Sequence, residues 1–596
     1  MHLSTLDWSF IAAFFILSLV IGLVVSKRAG KSASEYFLSG RSMPWWLLGF
    51  SMVATTFSAD TPNLVTDIVR KNGVSGNWQW WAFLLTGMLT VFVYAKLWRR
   101  SGVLTDLEFY ELRYSGKAAA FLRGFRAIYL GVFFNVMIMA TVSLAAIKIG
   151  GVLLGLSPIQ TILIASIVTV IYTSLGGLTG VIWTDFFQFI VAMFGVTAAA
   201  VVVVNLPQVG GLSNLLAHPN VAPKLSVLPD FNDMNALIPF LILPLAIQWW
   251  SVWYPGAEPG GGGYIAQRML SAKNETHAIT ATLFFNFVHY ALRPWPWILV
   301  ALASLIVFPD LASLKTAFPH LPDNVINDDL AYPAMLTFLP AGLLGLVIAA
   351  LIAAYMSTIA THLNWGSSYV VNDFYKRFIK PEASEKEQVN VGRLTTVVLM
   401  FFSALLALAL TNALQAFNIL LQIGAGTGLI FILRWFWWRI NAWSEISAMI
   451  ISFAVAVFFE LIAPKMNIDI APHLKLISGV AITTVGWLAV TFLTQPASRD
   501  TLLSFYKLIK PSPGGWRPVL DQAIAEGKIT AAEIVPGKLP LEILCMVSGC
   551  FLVYGALFGI GFLVYGEMGK AMIGFVVAAI ATWILIRSWS QVKGQS

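Results

Sequence analysis

The stretch Met52-Val53-Ala54-Thr55-Thr56-Phe57-Ser58-Ala59-Asp60-Thr61-Pro62-Asn63 lies inside an apolar run from 44 to 70 and crowds seven polar or helix-breaking residues into it. Polar groups in hydrocarbon are costly, so a cluster of them at membrane depth points to function. Asp60 and Pro62 both oppose a continuous helix, and a break there leaves carbonyls free to bind a cation.

That this depth is a membrane follows from the rest of the chain. Of 596 residues, 58% are hydrophobic and only 11% charged, with a mean hydropathy of +0.77, far more apolar than a soluble core can hide. Apolar runs of about 20 residues recur from end to end, enough to cross roughly 30 Å of hydrocarbon as helix. They lack the period-2 alternation of a barrel, and backbone in lipid must bond within its own segment. The fold class expected is therefore all-α integral membrane protein. About 15 spans are expected, near 10 to 26, 44 to 70, 77 to 98, 125 to 154, 158 to 175, 181 to 206, 235 to 256, 278 to 308, 340 to 375, 390 to 411, 414 to 437, 443 to 463, 475 to 495, 541 to 565 and 570 to 587.

Charge gives the orientation. The first run has Asp7 before it and Lys27, Arg28 and Lys31 after it, the reverse of a secretory signal peptide, so it is expected to stay as a helix with its N-terminus outside. Lys27 to Arg41, Lys96 to Arg126, Arg268 to Lys273, Lys376 to Arg393, Arg434 to Arg439, Arg499 to Lys538 and the tail then fall on one side, the cytoplasmic one by the positive-inside rule. The opposite loops are sparse in positive charge, Arg70 and Lys71 excepted. The net charge of +8 thus describes membrane-facing loops of a plasma-membrane protein and not a nucleic-acid surface. The longest such loop, Gln495 to Pro540, is too short for a soluble catalytic domain. Gly260 to Gly263 lacks the Lys-Ser/Thr of a phosphate cradle, and Cys545 and Cys550 read as packing residues.

Three more spans carry polar clusters. The seventh is interrupted by Pro239 and Pro244, contains Gln248 and Ser251, and lies five spans after the second. Matching interrupted helices in two five-helix halves mark an inverted repeat with its binding site near the midplane, although proline is common in membrane helices generally. The ninth carries Ala354, Ser357, Thr358 and Thr361 on one face, either hard oxygen ligands for a small cation or hydroxyls that smooth packing. The eighth carries Asn286, His289 and Arg293. A charged arginine near the bilayer centre costs roughly 2.5 to 3.5 kcal/mol, so it must face protein, a carboxylate or substrate, with Asp60 one candidate partner.

Three motifs carry a family resemblance. Gly176-Gly177-Leu178 with Trp183-Thr184-Asp185 and Gln188, then Gln267-Arg268-Met269-Leu270-Ser271-Ala272-Lys273, then Arg439-Ile440-Asn441-Ala442 are similar, in this order, to motifs of the solute:sodium symporters. The likeness runs from about residue 6 to 495. It implies a LeuT-type 5+5 inverted repeat and a Na⁺ site built from carbonyls at Ala54 and Phe57 with the carbonyl of Ala354 and the hydroxyls of Ser357 and Thr358. Asp185 matches an acid on the family's sodium path. Thr361 matches part of a second sodium site, whose other hydroxyl position is Ala360 here. Solute positions carried over from the sugar branch are Thr61, Gln79, Ser251, His289 and Gln422, with a histidine at 289 where that branch has lysine.

The function expected is not enzymatic: alternating-access symport of Na⁺ and a small organic solute, sugar or sugar-like, across the lipid bilayer. Arg293 raises the alternative of an organic anion such as a sugar acid or monocarboxylate, whereas Gln79 and Gln422 suit neutral hydroxyls. A transporter-fold sensor acting with a separate signalling partner is a different class of reading. Four regions are expected: 1–43 as a peripheral helix and loop, 44–206 and 207–440 as the two halves of the core, and 441–596 as peripheral helices.

Overall fold

In the computed structural model, which describes residues 3–593 apart from 30, 57, 253–257, 320, 322, 411–423 and 425, helix is the dominant structure. Only one isolated bridge, Met43 to Ala272, pairs extended segments among the described residues. Eleven helices among those residues are long and apolar enough to cross a membrane.

In chain order the principal elements begin with α1 (Thr5–Ala29), α2 (Trp45–Thr56), α3 (Thr61–Asn72), α4 (Val74–Ser101) and α5 (Gly116–Leu154). Next come α6 (Pro158–Val204), α7 (Gly263–Ser271), α8 (Glu275–Val307), α9 (Leu343–Ile379) and α10 (Glu385–Ala409). The last four are α11 (Ala442–Lys465), α12 (Pro472–Leu493), α13 (Leu539–Val564) and α14 (Met568–Val592).

The expected spans that are not among the eleven are the interrupted ones. The span at 44 to 70 is split into α2 and α3 around Asp60 and Pro62; Pro62 sits in the first turn of α3, where its missing N–H is not needed. The span at 158 to 175 joins the next one in α6, whose helical path breaks at Gly177, with φ 54° and ψ −158°. The span at 235 to 256 forms short pieces around Pro239 and Pro244 before reaching residues outside the described set, and 414–423 and 425 of the span at 414 to 437 lie outside it too.

Burial separates an inner bundle from a periphery. The most apolar window of α9 is 83% buried, whereas those of α1 and α14 are only 22% buried. Yet α1 is tied to the centre. The buried carboxylate of Asp7 accepts from the backbone N–H of Gly342 (2.8 Å) and Gly345 (2.7 Å), capping the start of α9. A Cβ on Gly345 would lie 2.3 Å from the Asp7 Cα, so the close approach needs glycine there.

Ion pairs mark the two ends of the bundle differently. On the face of the basic loops, Arg123 bridges Asp373 at 2.7 Å and Glu111 at 2.8 Å, Arg377 meets Glu111 at 2.8 Å, and Arg434 meets Glu445 at 3.5 Å. Buried Arg126 pairs with Glu258 in the same layer. On the opposite face the two exceptional cations are both neutralised: Arg70 pairs with Asp328 (2.8 Å) and Lys71 with Asp67 (2.7 Å).

Candidate functional site

The break between α2 and α3 opens onto a cavity of about 210 Å³. Its walls include Thr55, Thr56, Asp60, Thr61 and Asn63 from the broken helix, His289, Tyr290 and Arg293 from α8, Trp80 from α4, Tyr264 from α7 and Thr358 from α9. Asp67, Lys71, Lys148, Asn327 and Asp329 line its outer part, toward the face opposite the basic loops.

The last turn of α2 decides what the site can hold. Helix ends leave carbonyls without backbone partners, and side chains claim most of them here. Arg293 donates to the Val53 carbonyl (3.1 Å) and the Thr56 carbonyl (3.2 Å), while the Thr358 hydroxyl donates to the Thr55 carbonyl (2.8 Å). Among the described residues, no side chain donates to the Ala54 carbonyl. A guanidinium over carbonyls at a helix C-terminus also faces the negative end of the dipole, and Arg293 stacks its charge on Trp297 at 5.0 Å.

Next to this turn, α9 meets α2 through hydroxyls. Thr361 and Thr55 share a hydrogen bond of 3.0 Å between their side-chain oxygens. Asp185 on α6 is fully buried and accepts from Ser357 (2.6 Å) and Ser51 (2.5 Å), so one carboxylate joins the two helices. Arg268 of α7 lies 3.8 Å from Asp185 and donates to Thr361 at 2.7 Å. Ala54, Ala354, Ser357, Thr358, Thr361 and Asp185 are thus buried around one helix crossing. Phe57 lies outside the described residues.

The solute candidates divide. Thr61, His289 and Arg293 line the cavity. Gln79 and Ser251 do not: the backbone carbonyl of Gln79 accepts from Gln248 at 2.8 Å, and Ser251 is buried at the interrupted seventh span. Gln422 lies outside the described residues. Asp60 lines the cavity beside Arg293, and Arg293 donates to the Val53 and Thr56 carbonyls of α2. Residues that sequence reasoning did not single out as solute-facing are Asn63, Trp80, Tyr264 and Tyr290. Asn63 lies three residues past Asp60, where helical spacing brings the two side chains to one face; the aromatics carried no signal among 13% aromatic residues. The Asn63 amide and the His289 Nδ1 find no hydrogen-bond partner among the described residues. Buried polar groups left open at a cavity are groups that a polar ligand or water can satisfy.

The model of the sodium:solute symporter family matches residues 36–452. A sodium/glucose cotransporter of Vibrio parahaemolyticus is 28% identical over 484 residues, covering 78% of this chain and 87% of that protein. Sodium/myo-inositol cotransporter 2 of Oryctolagus cuniculus is 25% identical over 583 residues, covering 89% and 82%. A solved structure of a Na⁺-coupled sialic acid symporter in a substrate-bound outward-open state superposes with a TM-score of 0.67 at 23% identity, covering 83% of this chain and 99% of that one. This likeness shows the LeuT-type fold. The match over most of the length, on a chain whose broken helix and hydroxyl-bearing α9 meet at one buried crossing, places it: this chain belongs to the sodium:solute symporter family, whose activity is Na⁺-coupled transport and not catalysis.

Proposed function

We propose that this chain carries Na⁺ together with a neutral sugar or polyol into the cell by alternating access. The cation sits at the crossing of α2 and α9, held by Ala54, Phe57 and Ala354 carbonyls with Ser357 and Thr358 hydroxyls, and Asp185 lies on its path. The solute fills the cavity against Thr61, Asn63 and His289. The observation that carries the reading is the Ala54 carbonyl, to which no side chain donates among the described residues, whereas its neighbours Val53, Thr55 and Thr56 are each claimed by one. A hard cation binds such an oxygen in preference to a softer ligand.

Arg293 supports a neutral solute over an organic anion, since its two terminal nitrogens are directed at backbone carbonyls. The names of the relatives, sodium/glucose and sodium/myo-inositol cotransporters, point to polyhydroxylated neutral solutes as well. The basic loops assign the cytoplasm to the face of the Arg126 and Glu258 pair, so the cavity faces outward. With about 100 mV across the membrane, one charge supplies roughly 2.3 kcal/mol, and a tenfold Na⁺ gradient adds about 1.4. Together they support on the order of 500-fold accumulation per ion.

The test is uptake into proteoliposomes, with a panel of sugars, polyols and sugar acids, with and without a Na⁺ gradient. The Ser357→Ala, Thr358→Ala double variant is expected to raise the Na⁺ concentration for half-maximal uptake on the order of tenfold or more. Unchanged Na⁺ dependence in that variant would sink the assignment of the cation site, and uptake of sugar acids alone would sink the neutral solute.

A further inference from the structure

A second cavity, of about 500 Å³, lies away from the transport path on the face of the basic loops. It is bounded by the end of α4, the segment 507–512, the segment 535–538 and the last turn of α14. Its lining holds six cations, Lys96, Arg100, Lys507, Lys510, Lys538 and Lys593, against two carboxylates, Glu275 and Glu542. Both carboxylates are already matched: Glu275 accepts from Arg100 at 2.9 and 3.0 Å, and Glu542 pairs with Lys96. Lys507 donates to the Lys528 carbonyl (3.2 Å) and Lys538 to the Gln591 carbonyl (2.8 Å), neutral acceptors that leave the charge in place. Neither Lys510 nor Lys593 meets a carboxylate among the described residues. Four positive charges around one hollow repel each other until an anion enters.

The cavity also has an apolar side. Val93 and Leu97 of α4 and Val592 of α14 line it and are buried. Six residues before Val592 stands Ile586, 69% exposed, on a helix whose most apolar window is only 22% buried. Ile580, Trp583 and Ile586, all more than half exposed, continue along α14 from that end, an apolar flank on which a ligand with its charge among the lysines can lay a chain.

We infer that this hollow binds a phosphate-bearing anion, and that the phosphodiester head of an anionic phospholipid, with its acyl chains along α14, fits it best. Juxtamembrane lysines on the cytoplasmic side recognise such heads, and each one near the surface contributes to the affinity.

The test uses the full-length purified transporter and its Lys507→Gln, Lys510→Gln, Lys593→Gln variant. Both are exposed to mixed phosphatidylglycerol and phosphatidylcholine micelles, and the lipid retained is counted by native mass spectrometry. Wild type is expected to retain phosphatidylglycerol in preference to phosphatidylcholine, and the variant to lose that preference by about tenfold or more. Restoring charge with Lys→Arg at the three positions is expected to restore retention, which separates lost charge from misfolding. In a parallel arm, sodium pyrophosphate is added and thermal unfolding followed. A stabilisation of wild type but not of the variant, without lipid preference, makes a soluble phosphate the ligand and supports the phosphate site while overturning the lipid source. Equal lipid retention by both proteins with no pyrophosphate response overturns the site itself.

Discussion

Arg293 is costly where it stands, and its two carbonyl partners show what offsets the cost. Hydrogen bonds to a charged group are worth about 1.5 to 3 kcal/mol each, enough in pair to hold the last turn of α2 in one geometry. The two carbonyls, Val53 and Thr56, belong to chain neighbours of Ala54 and Phe57, two of the residues assigned to the cation. Arg293→Gln is therefore expected to raise the Na⁺ requirement on the order of tenfold and to lower solute affinity through it, with Arg293→Lys intermediate. Measuring solute KM at several Na⁺ concentrations checks this: a loss that saturating Na⁺ does not repair would make Arg293 a direct solute ligand instead. The sequence showed that an arginine at this depth needs a partner, and Asp60 was the visible candidate. Asp60 does lie beside it in the cavity, but the arginine's hydrogen bonds to α2 go to backbone carbonyls, which leave no mark on residue identity. The same blindness applies to Gln248, whose acceptor is the Gln79 backbone.

Elements were most legible where a residue forbids something. Pro62 and Asp60 forbid a continuous span and the chain indeed breaks there, and hydroxyls spaced along one face of α9 do meet α2. What spacing could not supply was the third member of that junction, Asp185 of α6, because the helices come together only through tertiary packing. The break in α6 at Gly177 falls between the expected spans 158 to 175 and 181 to 206, but apolar runs show only length, whereas the bend itself needs one dihedral pair. A φ of 54° with a ψ of −158° lies in a region nearly restricted to glycine. Gly177→Ala is accordingly expected to cost about 1 to 3 kcal/mol and to lower the apparent unfolding temperature of the purified protein. An unchanged temperature would mean that the kink relaxes freely.

At the scale of the whole molecule, the cavity reaches toward Lys71, Lys148 and Asp329 at one face, and a layer of ion pairs closes the other face of the bundle. That layer joins α5, the segment after the seventh span, the end of α9 and α11, so opening the basic face requires parting them. Breaking one partner of a buried pair costs about 3 to 5 kcal/mol in the state that buries it, and less once water enters. Glu258→Gln is expected to shift the population toward a state open on the basic face. Amide exchange would rise in 369–379 and fall in 61–72; no change in either would show that the layer is not a latch. The exposed part of the layer resists acid. Burial alone would raise the Glu111 carboxyl, yet hydrogen bonds from Arg377 and Arg123 hold it below its usual value. Its contribution is complete above the ordinary carboxylate pKa and fails only as pH falls through the lowered one.

The cap that Asp7 places on α9 has a bearing on descent as well as on structure. Its carboxylate holds the N–H groups of Gly342 and Gly345, and the second glycine has no room for a side chain against the backbone of residue 7. A change at position 7 uncaps the helix on which Ser357 and Thr358 stand, and a change at 345 pushes α1 away. The clash at 345 is with backbone, so no side chain at position 7 relieves it, and the glycine is required whatever residue supplies the cap. A helix at the edge of the bundle is in this way bound to the history of its centre.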